Sequence, residues 1–248
     1  MHTMKKAILF TASIAFASTV FAQTTFRQQV HIEFEKSANL HAFIKEVDPE
    51  WYEDAKDRVP KTTTNYSEFT GNAEKSIYKP GREVAANNQG WWLPVADKNV
   101  IYTDYKTGTY VAQRPVFEEV FLVKDSLLKI KWQITPDTRT IAGYECRKAV
   151  GILDDTVAVF AFYTDEIMIP GGPEGIQGLP GMILGMGVPR LHATWFATKV
   201  EVFDVKMNAV VPATKGKLVN RASMMQELGK ILREWGSYGS KFIINFTI

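Results

Sequence analysis

The chain has 248 residues, with 29 Lys and Arg against 27 Asp and Glu and a formal charge of +2. Charges of both signs are interleaved, so the basic patch that nucleic-acid binding requires is missing and no nucleic-acid partner is expected. A lone cysteine, Cys146, excludes an internal disulfide.

Residues 1–22 read as a secretory leader. Lys5 and Lys6 form a basic start, Ala7 to Phe21 an apolar run, and Val20-Phe21-Ala22 a cleavage context before Gln23. The run is too short for a membrane span, and no cysteine follows it to carry a lipid. The expected product is 23–248, one β-rich domain, periplasmic or secreted and peripheral to a membrane at most. Losing Lys5 and Lys6 brings its formal charge to 0.

Period-two alternation dominates the rest. Val30, Ile32 and Phe34 alternate with His31, Glu33 and Glu35. Ala42 to Arg58 reads as helix interrupted at Asp48-Pro49, where Asp48 can cap and Pro49 open the next turn. Asn87-Asn88-Gln89-Gly90 reads as an exposed loop. Val116 to Val123 is a strand candidate, and Leu128, Ile130, Trp132 and Ile134 mark one face of another. Tyr144 to Leu153, Val157 to Tyr163 and Thr194 to Lys206 are further strands. Pro136-Asp137, Ala142-Gly143 and Asp154-Asp155 read as turns. Met224, Leu228, Ile231, Leu232 and Trp235 recur at helical spacing before Gly236. Phe242 to Ile248 reads as a final strand. Spacings near ten residues indicate a mainly β fold, a single curved antiparallel sheet or half-barrel with one or two packed helices.

Residues 170–189 hold seven of the 17 glycines and four of the 11 prolines. Such a segment has a dictated path, because glycine opens backbone angles that proline elsewhere closes. With Met182, Ile183 and Leu184 it is apolar too. It either rims a groove or plugs the core.

Chemical motifs are sparse. His31, His41 and His192 lack zinc-ligand spacing, and no cysteine pair exists, so neither a metal nor a cofactor is expected. No Gly-x-Ser-x-Gly elbow occurs. Cys146 shares a strand face with Tyr144 and Val150, which favours a buried thiol over a reactive one. The pairs Glu118-Glu119 and Asp154-Asp155 are poor acid–base candidates, since neighbours on a strand face opposite ways. Trp91-Trp92 is a candidate aromatic contact surface, beside the alternative that one ring is core and one covers an edge.

The segment Gly178-Leu179-Pro180-Gly181-Met182-Ile183 resembles the signature of the GLPGLI family, exported envelope proteins of Bacteroidota. Blocks around Thr140-Ile141-Ala142-Gly143-Tyr144-Glu145-Cys146 and Tyr163-Thr164-Asp165-Glu166-Ile167 are similar as well. The resemblance implies an envelope location, a β-rich fold and a setting near TonB-dependent transport systems, and it carries no catalytic residues. The function expected is a non-enzymatic binding or accessory role, with a peptide, lipid or segment of an outer-membrane transporter or other envelope protein held in an apolar groove. Gly178, Leu179, Pro180, Gly181, Met182, Ile183, Trp91 and Trp92 are the binding candidates. The alternatives are an envelope hydrolase acting through Cys146 or carboxylates, and metal capture by the histidines with Met168, Met182 and Met186.

Overall fold

In the computed structural model, residues 29–84, 97–202, 206–235 and 237–248 are described. The leader at 1–22, the loop at Asn87–Gly90 and the pair Trp91-Trp92 lie outside them.

The first alternating run forms β1 (Gln29–Asn39), in which Val30, Ile32, Phe34, Lys36 and Ala38 are buried and their neighbours half-buried. Asn39 caps α1 (Leu40–Val47), accepting from the Ala42 amide at 3.0 Å. Asp48 then caps α2 (Pro49–Ala55), accepting from the Trp51 amide at 2.9 Å. The interruption at Asp48-Pro49 is therefore as expected: proline supplies no amide, and the first turn does not need one.

Two antiparallel meanders follow. One runs from β1 through β2 (Thr62–Asn72), β3 (Lys75–Pro80), β4 (Val100–Asp104) and β5 (Thr109–Val116) to β6 (Glu119–Ser126). The other runs from β7 (Lys131–Ile141) through β8 (Tyr144–Leu153), β9 (Val157–Thr164) and β10 (Met182–Val188) to β11 (Ala193–Val202). Pairing of β1 with β11 joins them into a single curved sheet of twelve strands, and β12 (Lys217–Val219) adds in parallel beside β6. The fold is mainly β, as the alternation indicates. The hairpin turn at Ala142-Gly143 has φ of 49° and 88°, which matches the twist of the strands it joins.

Helix α3 (Arg221–Ile231) buries Met224 and Leu228, and α4 (Ser237–Thr247) follows it. Side chains from the first meander and the helices, among them Phe34, Phe69, Phe121 and Phe246, make one core cluster. Tyr163, Ile183, Met186 and Trp195 centre a second. Each such side chain, removed from water, contributes roughly 1.5–3 kcal/mol.

Four expectations are corrected. Val116 to Val123 is two strands, broken at Phe117-Glu118, where Phe117 takes a φ of 55°. Pro136-Asp137 lies inside β7, at the register shift between Ile134 and Thr138. A proline is tolerated there because β7 is an edge strand, so its missing amide breaks no ladder bond. Ile134, expected on the packed face with Trp132, is 48% exposed at the last pair before that shift. Phe242 to Ile248 is helical as far as Thr247: it is apolar nearly all round, a pattern shared by a buried strand and a helix sunk into a core.

The Gly-Pro segment fills the core. Ile167, Ile169, Ile176 and Leu179 are buried, and amides of β10 donate back to the loop, Met182 to Ile167 O at 3.0 Å and Ile183 to Gly171 O at 2.9 Å. Gly181 has a φ of 152°, and a Cβ there would run into the carbonyl of Thr164.

Candidate functional site

The polar centre of the molecule starts from one residue on β1. Lys36 occupies the fourth position of the inward stripe Val30, Ile32, Phe34, Lys36, Ala38. Its ammonium lies 4.9 Å from the ring centroid of Trp195 and 3.8 Å from Oε1 of Glu174. Burial lowers the Lys36 pKa, against the pull of Glu174 and Asp97 towards the charged form. Glu174 comes from the Gly-Pro segment, where it is buried with a φ of 53°. Asn99 donates to its Oε2 at 2.9 Å and Tyr78 to its Oε1 at 3.3 Å. Burial, with Glu174 second, pushes the Tyr78 hydroxyl well above its ordinary value. The Gly-Pro path thus serves to aim one carboxylate at one ammonium inside the core.

Arginines close the far side of this centre. Arg114 donates to the main-chain oxygens of Ile248 at 2.8 Å and Phe246 at 3.4 Å, and Arg221 donates to that of Thr247 at 2.7 Å. Arg221 also pairs with Asp154. Cations at a helix C-terminus complement its dipole, so α4 is clamped in the sheet's hollow at its last turn.

A surface pocket of about 280 Å3 lies on the near side, with Asn65, Tyr66, Arg82 and Asp97 among its lining. It exists because β3 pairs with β2 only from Ser67 to Gly71 and leaves at Pro80, the last bond being Gly81 N–H to Tyr66 O at 2.9 Å. Among the described residues the start of β2 pairs only with β1, and the pocket lies beside its other edge. The Arg82 guanidinium stacks on Tyr66 at 3.2 Å from the ring centroid, and its Nε donates to Glu33 at 3.0 Å. The Tyr66 hydroxyl donates to Glu35 at 2.9 Å.

The residues singled out by sequence are dispersed. Leu179, Gly181, Met182 and Ile183 are buried, while Gly178 and Pro180 are exposed. Trp91 and Trp92 lie outside the described residues. Cys146 is fully buried, its thiol pushed up to about 11 mainly by burial, which removes the hydrolase built on it. His31 bonds Thr70, His41 the Val59 carbonyl and His192 Glu46, on separate elements. Met168 is 77% exposed whereas Met182 and Met186 are core, so these three do not form one ligand set. Among the described residues no group of three or more His, Cys, Asp and Glu is placed to hold a metal ion. No helix among them is long and apolar enough to cross a membrane. Sequence reading passed over Lys36 and Glu174. The available signal was a lysine on an otherwise apolar strand face.

Known proteins place this fold. It is similar to two solved structures, "Structure of PNGF-II in C2 space group", with a TM-score of 0.52, and "Structure of PNGF-II in P21 space group", with 0.51. Identity is 16% in both, over 85% of this chain and 33% and 34% of those chains. The chain therefore spans about a third of the length of the proteins it matches, and at that identity the likeness concerns the fold alone. No curated protein sequence matches. A family model described as "N-glycanase peptide, N-terminal domain" matches residues 94–224, more than half of the chain. That family is distinct from the GLPGLI proteins, whose short signature here meets a local need, since Gly178 and Gly181 both have positive φ. On this match the chain belongs to the N-glycanase peptide, N-terminal domain family.

Proposed function

We propose that this protein is an exported, non-catalytic binding module of the cell envelope that engages glycan-bearing polypeptides. One observation carries the reading, the family match over residues 94–224, whose description names an N-glycanase. Two structural facts support it. The thiol is sealed in the core, and the open pocket is polar with an aromatic wall, the lining suited to a ligand rich in hydroxyls and amides. Export rests on the leader at residues 1–22, and an envelope partner such as a transporter belongs to the same proposal. The apolar-groove version loses support, because Leu179, Met182 and Ile183 are covered by their own chain.

Calorimetric titration tests this with two ligands: an asparagine-linked glycopeptide and the same peptide stripped of its glycan. The expected result is binding of the glycopeptide alone, with no free glycan detected by mass spectrometry. Equal binding of both peptides removes the glycan from the proposal. Released glycan makes the protein an enzyme.

A further inference from the structure

Arg139 sits on β7, the edge strand, yet its guanidinium lies 4.5 Å from the ring centroid of Phe196 on β11 and 5.9 Å from that of Phe162 on β9. Strands β8, β9 and β10 separate β7 from β11, so the sheet curls and lays the end of its edge strand over its own face. One glycine makes room for this. Gly185 stands directly opposite both Phe162 and Phe196, so the two rings flank a strand position that carries no side chain. Ile141 Cδ1 and the edge of the Phe196 ring each lie 2.8 Å from where a Cβ would be. Across two strand spacings the two phenylalanines are roughly 9.5 Å apart along the sheet. The result is a shallow apolar cradle of Phe162, Phe196 and Ile141 with one guanidinium at its rim.

Stacking alone holds that guanidinium. Of the three arginines on the described strands, Arg114 donates to main-chain oxygens at the end of α4 and Arg147 donates to Asp165. Arg139 makes neither a hydrogen bond nor an ion pair among the described residues, and it is exposed, so its N–H donors face solvent. The acidic groups around it are engaged or turned away. Asp137, two positions along the same strand, pairs with Lys148 at 3.2 Å. Glu35, opposite Phe196, accepts from Tyr66 at 2.9 Å. Glu145 stands opposite Thr140 and shares its face, the alternate one to that of Arg139.

A planar fork fixed by stacking, with its donors unspent, is arranged to pair bidentately with a carboxylate. One fork matches one negative charge. The apolar floor beside it adds a second demand, because a bare acid would leave the rings uncovered. The carboxylate must ride on a body with a C–H face that can lie on an aromatic side chain. A sugar acid has both parts on one ring.

We propose that the cradle of Phe162, Phe196 and Arg139 binds a carboxylated sugar of the uronic or sialic class. The Arg139 fork takes the carboxylate and the rings lie under the sugar. This rests on the reading of the protein as a glycan-binding module and names the kind of sugar that module prefers.

Calorimetric titration with glucuronic acid, N-acetylneuraminic acid, glucose and acetate tests it, beside the asparagine-linked glycopeptide. The expected result is one sugar acid binding at least about tenfold tighter than glucose and than acetate, and the tighter acid names the class. Arg139→Gln is expected to abolish that preference. Arg139→Lys, which keeps the charge but not the fork, is expected to lose most of it, and Arg58→Gln, in the turn after α2, to keep it. Should Arg139→Gln not fold, the Arg139 Nε–H resonance of the unaltered protein reports the same site. It shifts when the acid is added if the proposal holds and stays in place if it does not. Sugar acids that bind no better than glucose overturn the cradle, and glycopeptide binding in that case leaves the module reading intact. Acetate that binds as tightly as the sugar acids overturns the sugar class, and a preference that survives Arg139→Gln overturns the placement. Failure to bind glycopeptide and sugar acids alike removes the module reading and the cradle together.

Discussion

Lys36 Nζ stands 3.8 Å from Glu174 Oε1, with side chains 9% and 2% exposed. The lysine belongs to the first strand of the sheet and the glutamate to the Gly-Pro segment, so the pair fastens the core-filling loop to the sheet. Buried partners depend on one another. Glu174→Gln removes the carboxylate paired with the buried ammonium and is expected to destabilise the protein by about 3–5 kcal/mol in urea unfolding. The double change Lys36→Met with Glu174→Gln is expected to cost less than Glu174→Gln alone. A double variant as unstable as the sum of its parts would show that the two groups do not interact.

The Gly-Pro segment imposes a second test. Gly181 has a φ of 152° and the Thr164 carbonyl in the way of any Cβ, whereas Gly108 has a φ of 67° and open space. Gly108→Ala meets only the left-handed backbone penalty and is expected to cost about 1–2 kcal/mol. Gly181→Ala must also displace a strand, so a loss clearly larger than that is expected in the same denaturant series. Equal losses would mean that the close approach to Thr164 relaxes freely.

Helix α4 is held by its last carbonyls. Arg221→Ala removes the bond to Thr247 O and the pairing with Asp154. It is expected to cost about 1–3 kcal/mol. Hydrogen exchange should locate the effect, with the amides of α4 losing protection before those of β1 and β11. Uniform loss across the sheet would mean that α4 does not open as a separate unit.

Cys146 gives a pH signature with a definite sign. Its folded pKa of about 11 is raised from 9.0 mainly by burial. The unfolded chain thus releases this proton first. The associated stability is complete below pH 9.0 and is lost as pH rises through about 11. Cys146→Ala is expected to show a shallower loss of stability across that window. The native thiol should also resist a thiol reagent at pH 8 until urea exposes it. Fast labelling of the native protein would place the thiol at the surface.

Helix capping offers a smaller, local check. Asp48 Oδ1 accepts from the Trp51 amide at 2.9 Å at the start of α2. Asp48→Ala is expected to cost about 1 kcal/mol, and Asp48→Asn a few tenths, by thermal unfolding.

Much of this architecture was legible along the chain because it depends on neighbours in sequence. The stripe Val30, Ile32, Phe34, the break at Asp48-Pro49, the turn at Ala142-Gly143 and the mainly β character all follow from side-chain periodicity and backbone restriction, which act over a few residues. The burial of Cys146 was readable too, from the apolar neighbours on its strand face. What depended on partners far away was not. Phe242–Ile248 has an apolar pattern that suits a strand or a buried helix, and only the hollow closed by Arg114 and Arg221 decides for the helix. Lys36 and Glu174 are 138 positions apart, and no local rule links a lysine in a strand to a glutamate between glycines. The pocket at Tyr66 and Asp97 arises because β3 turns away from β2, an event of sheet geometry rather than of sequence pattern. Local chemistry set the strands, caps and turns. Long-range packing decided which charges meet, which helix fills the sheet and where a surface gap remains.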